Sequence, residues 1–300
     1  MNWIDWLIIS TVLIFVIGMA IYTNQYMRSV ADFLSGGRLA GRYLLSVAKG
    51  EMGAGAVVFV ATFEVIHKSG FTLIWWSWAT MPIGIILAIY GFVIYRYRET
   101  RAMTLAQFFE IRYSKAFRIF TGVLGFLAGI VNFGIIPAVG SRFLVYFLGL
   151  PASFTLFHTT ISTYIPLMGM MLILTLILVL SGGLITLMVT NCIEGMISQI
   201  LYLAIIFGLI SIFNWDQMQF ALTHLSTPEG VILRGEGQSL LNPFDSMGLK
   251  DFNLWFVLMS VFVGVYGTMA WQNQSAYNSA AISAHESRMG NILGRWREMG

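Results

Sequence analysis

The chain of 300 residues is 57% hydrophobic and only 10% charged, with a mean hydropathy of +0.77, a balance that excludes an ordinary water-soluble domain of this size. Its net charge of +3 is no nucleic-acid signal, because the basic residues gather on one side of the topology derived below. A single cysteine, Cys192, excludes an internal disulfide and a cysteine-based metal site.

The opening MNWIDW carries Asp5 where a secretory leader would carry its basic segment, so residues 6–22 read as a first membrane span. Arg28, Arg38 and Arg42 follow that span and no basic residue precedes it, which predicts an outside N-terminus. Aromatic residues make up 15% of the chain, and Trp3, Trp6, Trp75, Trp76, Trp78, Trp215 and Trp255 fall near predicted span ends, as interfacial belts require.

Residues 43–66, YLLSVAKGEMGAGAVVFVATFEVI, are long enough to cross a bilayer yet carry Lys49 and Glu51 in their middle. Each charge costs about 2.5–3.5 kcal/mol at mid-membrane, so it must face protein, water or an ion. Gly50, Gly53 and Gly55 each lower helix propensity by about 1 kcal/mol. Two readings fit. A helix broken at membrane depth would free carbonyls and N–H groups to hold a cation and a solute. A continuous helix would instead use its glycines for close packing and turn its charges to a partner helix.

Span three is predicted over 73–95, followed by a basic cytoplasmic segment from Arg96 to Arg118. Within it, 104–112 starts on the N-cap candidate Thr104 and predicts a short helix lying at the inner surface. Span four, 119–139, carries Gly122, Gly125, Gly129 and Gly134, a spacing that suggests tight helix packing, and Asn132 reads as an interhelical hydrogen bond. Span five, 161–180, reaches a tight turn at Ser181, Gly182 and Gly183 before span six, 184–213. Near the start of span six stand Asn191 and Glu194; the glutamate reads either as a supporting carboxylate or as an interfacial residue. The polar stretch 214–250 predicts a long external loop, and span seven, 254–271, holds Gly264 and Gly267 around Tyr266.

With this topology twelve of the 17 Lys and Arg lie inside, while Lys68, Arg142, Arg234 and Lys250 lie outside and Lys49 within the membrane. Spans two and seven, both interrupted by glycine, run in opposite directions, with five helices separating their starts. That pattern predicts an inverted repeat of five helices.

DFLSGGRLAGRYLLSVAKGEMGAG (32–55), TLAQFFEIRYS (104–114), SGGLITLMVTN (181–191) and the region 263–291 together resemble the sodium/solute symporters, the family of proline, sugar, pantothenate and iodide transporters. The resemblance runs in order along nearly the whole chain. It implies an all-α polytopic membrane protein with an inverted five-helix-repeat transporter fold and an extra N-terminal helix. Residues 1–30 would be that helix, 31–213 the first repeat, 214–250 an extracellular loop and 251–300 the start of a second repeat, incomplete in this chain.

By the same resemblance the chain is a secondary active transporter in the cell membrane, a multi-pass symporter for a small polar organic solute. The coupling cation would be sodium, held by the backbone carbonyls of Lys49 and Met52, and no organic cofactor is implied. Solute contacts fall on Gly50, Glu51, Gly53, Ala54, Gly55, Ala56, Gly264, Tyr266 and Gly267, with Gln272 able to hydrogen-bond a polar solute. Two positions depart from the family. Asn191 stands where an aspartate is frequent, and Lys49 brings a cation to the expected sodium site. The Lys49 ammonium would therefore replace sodium or couple transport to protons, or else snorkel to the inner surface while sodium still binds.

Three other classes compete with a carrier. His67, His158, His224 and His285 are scattered, with no metalloprotease spacing and no nucleophile elbow, so an enzyme is not expected. A transporter-like sensor module and a scaffold that binds solute without moving it remain as alternatives.

Overall fold

The computed structural model describes residues 3–53, 55–156, 159–223, 240–245, 250–267 and 272–295. Its helices are α1 (Trp3–Asn24), α2 (Val30–Ser35), α3 (Arg42–Glu51), α4 (Ala56–Ser69), α5 (Thr72–Tyr90), α6 (Phe92–Glu99) and α7 (Leu105–Arg112). They continue with α8 (Lys115–Phe147), α9 (Tyr164–Ile212), α10 (Trp215–Thr223), α11 (Leu254–Tyr266), α12 (Gln272–Ala280) and α13 (Ala284–Gly294). A two-stranded antiparallel hairpin, β1 (Ser153–Leu156) and β2 (Thr159–Ser162), joins α8 to α9.

Four helical segments are long and apolar enough to cross a membrane: Trp3–Asn24, Thr72–Glu99, Lys115–Phe147 and Tyr164–Ile212. The pair α3 and α4 makes a fifth if it is one broken span. Apart from that hairpin the described chain is helical, which is compatible with an all-α membrane protein. The predicted spans five and six appear as the single helical run α9. At about 1.5 Å per residue its 49 residues would reach about 73 Å, more than twice a hydrocarbon core. The run is broken where the turn was predicted, at Gly183, whose φ of 53° and ψ of −145° are not helical. One residue does the work of a loop there, because only glycine adopts that backbone geometry readily.

Other boundaries move for similar reasons. Predicted span three divides at Gly91, φ 51°, into α5 and α6. Span seven ends as a helix at Tyr266. The start expected for span five, Ile161, lies in β2. Thr104 caps α7 as expected, its Oγ1 accepting the Gln107 N–H at 3.2 Å. Gln107 returns the bond by accepting the Met103 N–H at 2.9 Å.

Contacts divide the chain into two compact units. The first comprises Met1–Val58, Gly91–Met196 and Met269–Gly300, and the second Phe59–Tyr90 and Ile197–Thr268. In the second, α5 packs on α11, and Gly70, φ 61°, leaves no room for a Cβ beside Leu240. In the first unit many of the fully buried positions are small or polar, among them Ser35, Ser141, Thr186 and Ser279, beside larger ones such as Ile94, while large apolar side chains are exposed along α1 and α8. That distribution suits a chain whose solvent is lipid, where burying apolar surface gains little and close backbone approach gains more.

Three of the four glycines of span four do not provide such approach here. A Cβ added at Gly122, Gly129 or Gly134 would meet nothing within 4 Å. Asn132 donates to the Ala128 carbonyl of its own helix, at 3.1 Å, which corrects the expectation of an interhelical bond.

Candidate functional site

Helix α3, the first half of the bent pair α3 and α4, organises the first unit. Helical bonding in α3 closes with the Met52 N–H on the Ala48 carbonyl at 3.1 Å and the Gly53 N–H on the Gly50 carbonyl at 3.2 Å, and α4 resumes at Ala56. The break therefore falls on the glycine-rich segment where the sequence placed it. None of its described glycines has a positive φ, so they act by weakening the helix rather than by forcing a left-handed turn.

Lys49 leaves α3 just before the break. Its ammonium donates to Asn278 Oδ1 of α12 at 3.0 Å and to Asn291 Oδ1 of α13 at 3.1 Å. Ser287 Oγ donates to the same Asn278 oxygen at 3.3 Å. Asn278 and Ser287 are both 2% exposed, so the ammonium is drawn into the packed interior rather than out to a surface. The charge-assisted bonds join α3, at the break, to α12 and α13 near the end of the described chain.

A second clasp lies at the opposite end of α3. Gly41, its N-cap, has no side chain to satisfy the first N–H groups. Glu286 of α13 does so from across the contact: Oε2 accepts the Arg42 N–H at 2.8 Å, and both carboxylate oxygens accept Arg42 Nε at 3.0 Å. Arg42 Nη2 completes a close ion pair with Oε1. These bonds from Arg42 hold the Glu286 carboxyl below its ordinary range. Ser283 Oγ caps the start of α13 by accepting the Glu286 N–H at 3.1 Å, so one carboxylate sits near the positive ends of two helices.

Between the clasps the two helices touch through Gly290 and Gly294. A Cβ at Gly290 would lie 2.8 Å from Leu45 Cβ, and one at Gly294 would lie 3.1 Å from the Ser46 carbonyl. The C-terminal end of α12 is held as well. Arg98 donates through Nε to the Ala281 carbonyl at 2.8 Å and through Nη2 to that of Ile282 at 3.2 Å. Ala40 exchanges backbone bonds with Ala280 and Ile282, each at 3.0 Å.

Asn191 of α9 reaches the same assembly, its Nδ2 donating to Tyr277 Oη at 2.7 Å. Tyr277, Leu184, Met188, Leu45 and Ala48 form one buried cluster, with Met52 and Cys192 packed against it. Glu194 lies within electrostatic reach of Glu51. Among the described residues no group of three or more His, Cys, Asp or Glu could hold a metal ion.

Of the positions read from the sequence, Lys49, Gly50, Glu51, Met52, Gly53, Gly55, Ala56 and Asn191 therefore belong to one unit. Gly264, Tyr266 and Gly267 belong to the other, where Tyr266 is 83% exposed and stacks on Phe262 at 6.1 Å. Ala54 and the Gln272 side chain lie outside the described residues. Sequence reasoning missed Asn278, Asn291, Tyr277, Glu286 and the pair Gly290 and Gly294. Two signals were there to read: Ser283-x-x-Glu286, a capping-box pattern, and Gly290-x-x-x-Gly294, a close-packing pattern. No protein-family model and no curated protein matches the chain.

Proposed function

We propose that the chain is a secondary active transporter of the sodium/solute symporter type, moving a small polar organic solute with a cation by alternating access. The observation that carries this reading is the break between α3 and α4 at a charged, glycine-rich segment inside an apolar span. A soluble core has no use for such a break, whereas an ion pathway does. The negative end of the α3 dipole points at that break, and the Lys49 and Met52 carbonyls would contribute neutral oxygens to a monovalent cation there. Sodium is then a co-substrate, held weakly enough to be released inside.

A specific observation favours a second reading, a sodium-independent or proton-coupled carrier. The Lys49 ammonium, a resident cation next to the break, already takes two amide oxygens, at 3.0 and 3.1 Å. Uptake of a panel of polar solutes into proteoliposomes, first with a sodium gradient and then with a proton gradient alone, separates the two. Sodium-driven uptake supports symport with sodium. Uptake that ignores sodium and changes its ion dependence in Lys49→Ala supports the resident ammonium. No gradient-driven uptake with any solute, in a correctly folded preparation, defeats both.

A further inference from the structure

The elbow between α7 and α8 carries a feature that transport does not use. Residues 111–120, IRYSKAFRIF, are exposed without interruption. Their aromatic rings form a ladder with Phe109: Phe109 to Phe117 at 5.4 Å, Tyr113 to Phe117 at 5.0 Å and Phe117 to Phe120 at 6.1 Å. Tyr113 and Phe120 are 64% and 60% exposed, an arrangement costly in water and natural at a headgroup boundary.

The cations at this elbow are unevenly matched. Arg118 pairs with Glu110 at 2.5 Å. Arg112 and Lys115, on either side of the Ser114 cap, have no ion pair or hydrogen-bond partner among the described residues. By contrast, Arg96 is matched by Glu99 at 2.9 Å. Two uncompensated cations beside an exposed aromatic ladder present positive charge and an amphipathic ring surface together. A lipid carrying a negative headgroup and an acyl chain complements both.

The geometry points to the α7–α8 elbow as a binding surface for anionic phospholipid, with Arg112 and Lys115 holding the headgroup and Tyr113, Phe117 and Phe120 lying along the acyl boundary. Cations near an anionic surface contribute about fivefold each to partitioning, so removing both weakens retention about thirtyfold.

The test uses the full chain in neutral detergent, with phosphatidylglycerol or phosphatidylcholine added at graded mole fraction and bound lipid counted by native mass spectrometry. The expected result is preferential retention of phosphatidylglycerol, with the half-saturating fraction raised about thirtyfold in Arg112→Gln/Lys115→Gln. Arg112→Lys/Lys115→Arg should retain the preference, and Arg96→Gln should leave it unchanged. Equal retention by wild type and the double Gln variant overturns the proposal, as does an equal loss in Arg96→Gln, which would make the effect one of net charge. Displacement by millimolar inorganic phosphate would identify a free-anion site instead. A dimer mass lost in the double Gln variant and indifferent to lipid would mean that a second copy covers this face.

Discussion

Lys49 and Asn278 stand 229 positions apart in the chain and 3.0 Å apart at Nζ and Oδ1. The contact links α3, just before the break, to α12, and any motion that separates α3 from α12 must break it. A hydrogen bond to a charged group contributes about 1.5–3 kcal/mol, and the partial exposure of the lysine argues against the upper end. Lys49→Met should destabilise the purified chain by about 2 kcal/mol, read as a fall in Tm in neutral detergent. Asn278→Ala in the same background should cost much less than it does alone, because contacting residues couple by about 0.5–3 kcal/mol. Additive losses in the double variant would show that the pair does not act as a unit.

Close approach of α13 to α3 sets up a comparison between glycines. At Gly290 an added methyl meets Leu45 Cβ at 2.8 Å, closer than carbon atoms pack, and the Arg42 carbonyl at 3.3 Å. Relief requires the helices to separate, which strains both clasps, so Gly290→Ala should cost about 1–3 kcal/mol. Gly134→Ala, where a Cβ meets nothing within 4 Å, should be neutral or stabilise by up to about 1 kcal/mol through helix propensity. Thermal unfolding of the two variants side by side checks the contrast; equal shifts would refute the packing account.

The legible part of this chain was whatever local composition determines. Long apolar runs announced the four long apolar helices, Thr104 announced α7, and the charges and glycines from Lys49 to Gly55 announced the break. What stayed hidden depends on contacts across the chain. Nothing near Lys49 indicates that its partners are Asn278 and Asn291, 229 and 242 positions away. Glycine was also ambiguous, since the same residue marks open surface at Gly134, a helix contact at Gly290 and a backbone break at Gly183. Spacing alone does not tell these apart, because each role is set by what the helix faces.

Gly183 allows the sharpest single-residue test. Its φ and ψ fall where side chains are strained, and a Cβ would lie 2.8 Å from the Phe33 Cα, a backbone atom with little freedom to move. Strain of this kind costs about 1–3 kcal/mol, and the clash adds to it. Gly183→Ala should therefore lower Tm more than Gly290→Ala does, since no flexible side chain can give way. A smaller loss would mean that α9 can run through this point without the break.

The Arg42–Glu286 pair makes stability depend on pH in a defined direction. Bonds from Arg42 lower the folded-state pKa of Glu286 below its unfolded value, about 4.3 for an unperturbed glutamate. The stabilisation is thus fully present above that value and is lost as pH falls through the folded pKa, in the window below about pH 4. Asp32 is held down in the same sense, by Ser29 Oγ and then the Arg28 N–H, so the acid response of the wild type contains both carboxylates. Glu286→Gln isolates one. It keeps the side-chain shape, removes the charge, and leaves α3 capped by a weaker neutral acceptor. At neutral pH the variant should melt below the wild type, and the gap should close as pH falls toward 3, because protonated Glu286 also lacks the charge. Tm measured from pH 7 to pH 3 for both proteins, and for Arg42→Gln, checks this. A gap that persists unchanged at pH 3 would show that the glutamate contributes through packing rather than through its charge.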